Sequence, residues 1–231
     1  MTQIMEEVVK CGVCGKETHV KVMASSSRFG TCDLDTRPPA LFPFTMFLQQ
    51  CEHCGYVDVN ISDYHREVSE FVATSEMYEM CDGIEPKSTK AQQYIKYALI
   101  QAYKQVTTIW EDEESSAKEN AFWGFLNAAW ACDDEDDKGA AEECRRRCLD
   151  LINNLIVNSK DQEQKETYLG IKADLLRRTK QFDAVIVEFE NKTVKDPYAD
   201  QVIRFEVELA KGKDEKRYNM NHINSPEKNK L

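Results

Sequence analysis

The sequence carries one short pattern twice, Cys11-Gly12-Val13-Cys14-Gly15 and Cys51-Glu52-His53-Cys54-Gly55, and no other feature restricts its folding as much. In each copy a tight turn aims two sulfurs at one point. The glycine after the second cysteine permits the left-handed backbone that frees amides to donate to thiolates. Two such knuckles flanked by short strands make a tetrahedral, all-sulfur site of Cys11, Cys14, Cys51 and Cys54 around one ion. Four thiolates close the coordination sphere and leave no position for a substrate, as in a structural zinc site. Rubredoxin-type iron uses similar geometry and stays open as the alternative metal. A thioredoxin-like redox pair would need a βαβ setting and normally one CxxC, not two that each end in glycine. His53 lies between two better ligands, so a solvent-facing or supporting role is expected of it.

Around the knuckles the apolar period is two, in Val20 and Val22, then Phe42, Phe44, Met46 and Leu48, then Val57, Val59 and Ile61. This predicts three short strands, with Pro43 at an edge or at the start of the second. A segment of about 60 residues has a marginal core, and the metal would stabilise it by about 10 kcal/mol or more. Between the first two strands runs a loop, roughly Ala24 to Ala40, too long without regular structure to be incidental. It contains Asp33, Asp35 and Arg37, followed by Pro38-Pro39. Such a loop could hold a divalent metal or a phosphate. The simpler expectation is that its carboxylates accept loop amides and pair with Arg37, holding the loop against the ribbon. No glycine-rich phosphate cradle, HExxH pair, GxSxG elbow or nucleophile–base constellation accompanies it, and His19, His53, His65 and His222 are scattered.

After Ser62, an expected N-cap, the period becomes helical through Tyr64, Val68, Phe71, Ser75, Tyr78 and Cys81, and Asp82-Gly83 ends that stretch. Further helices are predicted near 88–107, 116–132, 138–157, 161–178, 182–194 and 198–210. Leu169, Ala173, Leu176, Phe182, Val185, Ile186, Phe189 and Asp196-Pro197 fall at tetratricopeptide anchor spacings, and Trp123, Leu126 and Trp130 repeat part of them. Ala140, Cys144, Cys148, Leu151 and Leu155 form one apolar stripe, so both thiols are expected in a core. Cys32, beside Asp33, could approach the metal or stand free. The fold class is therefore α+β, mostly α. Its divisions are a small N-terminal β zinc ribbon over 1–62, a tetratricopeptide-like array of antiparallel helix pairs over 63–210, and a flexible tail over 211–231.

Charge narrows the function classes. Thirty basic against 41 acidic side chains leave a net charge of −11. Only five basic residues lie in the first 62, without the basic-aromatic footprint of a nucleic-acid binder. The acidic runs at 111–114 and 133–137 are expected to be solvated loops and helix N-terminal charge. No run is long and apolar enough to span a bilayer, the start MTQIMEEVV is acidic where an export signal would be basic, and nine cysteines is an odd number for a disulfide framework. A cytoplasmic location is expected.

The segments CGVCG, GTCDLDTRPP and CEHCGYVDVNIS, with DLLRRTKQFD in the helical half, resemble bacterial proteins classed as domain of unknown function 2225. The resemblance spans both halves and departs at Cys32. It implies that Cys11, Cys14, Cys51 and Cys54 are zinc positions and that Asp33, Asp35, Arg37 and Pro38 form the family's loop motif, and it supplies no reaction. The expectation is a noncatalytic scaffold or protein-interaction module with one structural zinc ion, whose helices bind an unidentified protein or peptide. The alternatives are a nucleic-acid-binding zinc ribbon and a metal-dependent enzyme built on Asp33, Asp35 and Arg37.

Overall fold

The structure, a computed structural model, describes residues 3–40, 42, 44–63, 66–107 and 111–223. Pro43, Tyr64, His65, Trp110 and the tail from 224 lie outside the described residues. Strand β1 (Gln3–Lys10) pairs antiparallel with β2 (Glu17–Ser25), from Lys10 opposite Glu17 outward to Gln3 opposite Ser25. Two-residue strands β3 (Gln49–Gln50) and β4 (Val57–Asp58) form a second antiparallel pair. Each cysteine knuckle is the turn of one of these hairpins. Behind them come α1 (Arg66–Thr74), α2 (Glu76–Glu79), α3 (Thr89–Thr107), α4 (Glu111–Asp134), α5 (Lys138–Asn158), α6 (Gln162–Arg178), α7 (Phe182–Phe189), α8 (Pro197–Lys211) and α9 (Met220–Ile223). The fold is α+β and mostly α, a small N-terminal sheet followed by a helical array.

Five elements differ from expectation. Helix α4 starts at Glu111, so the acidic run 111–114 opens it and is not a loop before it, and α7 ends at Phe189 short of 194. The other three lie in the front of the chain. β1 has no clean alternation, because seven of its eight residues are exposed, so the period-two test does not see it. The strand expected through Phe44, Met46 and Leu48 does not form. Its polar backbone is satisfied by side chains instead, with the Thr45 amide donating to Asn127 Oδ1 at 2.8 Å and the Tyr94 hydroxyl donating to the Met46 carbonyl at 2.7 Å. Phe44 meanwhile stacks on Tyr94 with ring centroids 5.2 Å apart. The helix expected over 64–81 is broken at Ser75, which is extended (φ −85°, ψ 110°) and caps α2 by accepting from the Tyr78 amide. Asp82 takes a left-handed φ of 55° and ends the segment as expected.

The chain forms two compact units, and they do not divide at residue 62. One contains Met1–Ser27 and Phe44–Cys144, the other Arg28–Pro43 and Arg145–Leu231. In the first, Cys11, Val20, Cys51, Tyr56 and Ile61 of the ribbon share one core with Val68 of α1, Tyr78 of α2 and Ile100 of α3. The ribbon thus gains from the helices the apolar burial that about 60 residues cannot supply alone. Gly124 of α4 lies so close to α3 that a β-carbon there would come within 2.8 Å of Ala98 Cβ.

In the second unit, Leu169, Ala173 and Leu176 of α6 pack with Val185 and Phe189 of α7 and with Ile203 and Val207 of α8, the anchors read from the sequence in a common core. Asp196 caps α8 by accepting from the Ala199 amide at 2.7 Å, with Pro197 in the first turn where its missing N–H costs nothing. Cys144 and Cys148 are both fully buried, as the stripe implied, and Cys81 and Cys132 are buried too. The expected flexible tail is packed through residue 223. Met220 and Ile223 are buried with Leu34, Val202, Phe205 and Leu209.

Candidate metal centre

The two knuckles fold alike because their backbone bonds are alike. Cys11 N–H donates to the Lys16 carbonyl at 2.9 Å and Gly15 N–H to the Cys11 carbonyl at 2.8 Å. In the second knuckle Cys51 N–H donates to the Tyr56 carbonyl at 2.9 Å and Gly55 N–H to the Cys51 carbonyl at 3.0 Å. Gly15 and Gly55 have φ of 71° and 73°, the left-handed region an L side chain rarely enters. Gly12 is required for a different reason. Its amide donates to the Ile61 carbonyl at 2.7 Å, and a β-carbon there would lie 2.3 Å from the Asp63 carbonyl oxygen.

All four sulfurs lie within 4.8 Å of one another, and all nine cysteines are unbridged. Cys11 Sγ is 3.8 Å from Cys54 Sγ, and Cys14 Sγ is 3.6 Å from Cys51 Sγ. A tetrahedron with metal–sulfur bonds of about 2.3 Å has edges of about 3.8 Å. The four thiols can therefore hold a metal ion. Desolvation pushes the Cys11 and Cys54 thiols up. At Cys14 desolvation also pushes up, but the Lys16 amide and the neighbouring sulfurs pull the thiol below its ordinary value. Burying thiolates is costly without a cation, and metal binding would release the protons such sites otherwise keep.

The surroundings fix the ligands. Cys11 and Cys51 are buried, whereas Cys14 and Cys54 are half-buried. The Tyr78 hydroxyl of α2 donates to the Gly55 carbonyl at 2.6 Å, tying a helix to the second knuckle. Thr18 Oγ1 of β2 accepts from the Glu52 amide at 3.1 Å. Beneath them Tyr56 donates to Asp58 Oδ2 at 2.9 Å, and Lys104 of α3 pairs with the same oxygen at 3.2 Å. His53 Nε2 lies 2.9 Å from the Glu17 carbonyl, a supporting contact between the hairpins. The part played by Tyr78 was invisible to a reading of ligand types. Its only sequence signal was its place on the apolar stripe before Asp82.

Asp33, Asp35 and Arg37 belong to the other unit. The loop is held by the helical half and the tail. Leu34 N–H donates to the Tyr218 carbonyl, and Met220 N–H to the Cys32 carbonyl, each at 3.1 Å. Asp33 pairs with Arg217 at 2.6 Å, and Asp35 lies 3.8 Å from Arg178. Asp35 also accepts the Arg37 amide at 3.3 Å, as expected for a loop carboxylate. The turn closes with Asp33 N–H on the Arg37 carbonyl and with Thr36 at a φ of 70°. Arg37 itself is only 3% exposed. Among the described residues the four cysteines are the only cluster of three or more metal-ligating side chains, so Asp33, Asp35 and Cys32 are outside it.

Burial pushes Asp35 up to about 6, with Asp174 and Asp33 adding to the effect and Arg178 and Arg145 opposing it. Because the folded carboxyl holds its proton more tightly than the unfolded one, stability is gained as pH falls through 6 and lost as pH rises through it. Asp35→Asn should remove the part of this gain centred near pH 6. Thermal denaturation of wild type and variant between pH 7.5 and 5 checks it, and parallel curves would contradict the assignment.

A second buried ionic group lies in the same unit. Arg177, fully buried, pairs through Nε with Glu206 and through Nη2 with Asp174 at 2.9 Å. Its Nη1 donates to the Asp214 and Lys216 carbonyls at 2.9 and 2.8 Å. Desolvation and Asp174 push Glu206 up while Arg177 opposes them. Comparison of the chain with protein families, with characterised proteins and with solved structures returns no match.

Proposed function

We propose that Cys11, Cys14, Cys51 and Cys54 hold one zinc ion as a structural centre, and that the protein is a noncatalytic scaffold whose helices bind a protein or peptide. The observation that carries this reading is the fit of four sulfurs to a closed tetrahedral sphere in a core shared with α1, α2 and α3. With every coordination position filled by the chain, the ion contributes folding free energy. The spacing suits a mononuclear ion better than an iron–sulfur cluster, because each CxxC spans one edge of a single-metal site. Stacked helices present the extended surfaces that partner-binding arrays use. No helix among the described residues is long and apolar enough to cross a membrane. The site needs reduced thiols, which fits work in the cytoplasm. Native mass spectrometry of the purified protein tests the metal assignment. The expected mass is that of one chain plus one zinc ion, and a folded, metal-free chain would contradict it.

A further inference from the structure

The metal centre is not enclosed on all sides. Its half-buried ligands Cys14 and Cys54 form one wall of a cavity of about 850 Å³, within the ~300–1,000 Å³ typical of ligand sites. The opposite walls come from α1, α2 and α3, with Val72 and Tyr78 providing apolar surface and Glu76, Glu79 and Lys96 providing charge. All of these residues belong to one compact unit.

The field in this cavity is negative for two reasons. A divalent ion neutralises only half the charge of four thiolates, so the occupied centre remains anionic. Glu76 and Glu79 stand on the α2 side, and neither carboxylate has an ion pair among the described residues. The structure already seats one cation here, with Lys96 Nζ 5.1 Å from the centre of the Tyr78 ring. A single ammonium does not balance the remaining charge.

We propose that this cavity binds arginine side chains of a basic peptide segment from a partner protein, the guanidinium lying between the open face of the metal centre and Glu76 and Glu79. A planar guanidinium is weakly hydrated and can donate to carboxylates and thiolates at once, which suits a wall made of both. The inference rests on the metal-bound reading of the four cysteines, because protonated thiols would not supply the field.

Fluorescence anisotropy with a labelled peptide of alternating arginine and glycine tests it on the full chain, with zinc content measured in the same samples. Glu76→Gln with Glu79→Gln should weaken binding about tenfold, the sum of two modest ion pairs, while zinc and melting temperature stay unchanged. Glu6→Gln with Glu7→Gln, an equal charge change on exposed β1, should leave binding within about twofold because distant surface charge is screened. Equal losses in both double variants would reduce the effect to bulk charge and overturn the proposal, as would a fully zinc-loaded protein that binds no peptide. Displacement of the peptide by an equal concentration of spermidine would also overturn it, by showing a site for small polyamines. Failure to find one zinc per chain would instead overturn the metal reading itself.

Discussion

Cys11→Ser or Cys54→Ser should abolish stoichiometric zinc binding and unfold the ribbon together with the α1 and α2 packing around it. The effect is expected to be large because ligand loss acts on a core as well as on an ion. Cys11 and Cys51 are buried beside Val20, Tyr56 and Ile61, and Val68, Tyr78 and Ile100 pack on the same cluster. Structural zinc sites contribute on the order of 10 kcal/mol, as much as the whole stability of many domains. Removing the ion while keeping the ligands, with a strong chelator, should have the same consequence. Loss of tyrosine near-ultraviolet dichroism, from the buried Tyr56 and Tyr78, would report it. Cys148→Ser, also a loss of a buried thiol, should leave the metal in place because Cys148 is outside the cluster. Retention of zinc in the Cys11 variant, or its loss in the Cys148 variant, would contradict the ligand assignment.

Arg177→Ala should destabilise the second unit by about 3–5 kcal/mol while zinc is retained. The cost arises less from the attraction lost than from the charges left behind, since removing one partner leaves the others buried without compensation. Glu206 is fully buried, and Asp174 Oδ2 is already a buried oxygen without a hydrogen-bond partner. The same substitution removes the donors to the Asp214 and Lys216 carbonyls. Hydrogen exchange should therefore accelerate at the Asp214 and Lys216 amides, which donate to the Leu209 carbonyl and to Asp214 Oδ1. Combining Arg177→Met with Asp174→Leu and Glu206→Leu should recover most of the loss, because apolar replacement of a whole buried ionic group is often neutral or better. Denaturant unfolding monitored with metal content checks both results. A loss under about 1 kcal/mol for Arg177→Ala, a surface-pair value, would show that the cluster is hydrated and weak.

The cysteine cluster and the Asp33–Arg37 loop were unequally legible in the sequence. The four-cysteine cluster was visible because its chemistry is local. CxxC places two ligands within one turn, and the glycines that follow announce the left-handed backbone each turn needs. The destination of the Asp33–Arg37 loop was not visible, because its partners Arg178 and Arg217 are contributed from far along the chain. Proximity in sequence suggested the ribbon and Arg37. The structure also gives Asp33 to Arg217 and Asp35 to Arg178, while Arg37 closes the turn through its backbone and its charge acts on Asp33. The tail misled for a related reason. Its polar composition suggested flexibility, while Tyr218, Met220 and Ile223, interspersed among asparagine and lysine, supply the apolar contacts that hold it.

Helices α3, α5, α6 and α8 followed closely from period and capping, with breaks at polar caps such as Asp161 and Asp196, whereas α4, buried on every side over 124–132, and α7 differ from their expected bounds by five residues at one end. The strand expected over 42–48 failed because alternation reports which side chains are buried, not what satisfies the backbone. At Thr45 and Met46 that role is taken by Asn127 and Tyr94. The ribbon and the first helices therefore fold as one unit, which is why loss of the metal should propagate past residue 62.

X-ray absorption at the metal edge of the purified, full-length protein tests the central claim most directly. The expected spectrum is that of zinc with four sulfur neighbours at about 2.3 Å and no lighter ligand. A shell containing nitrogen or oxygen, or a sulfur count below four, would show a coordination position not held by these cysteines and would contradict the closed structural centre.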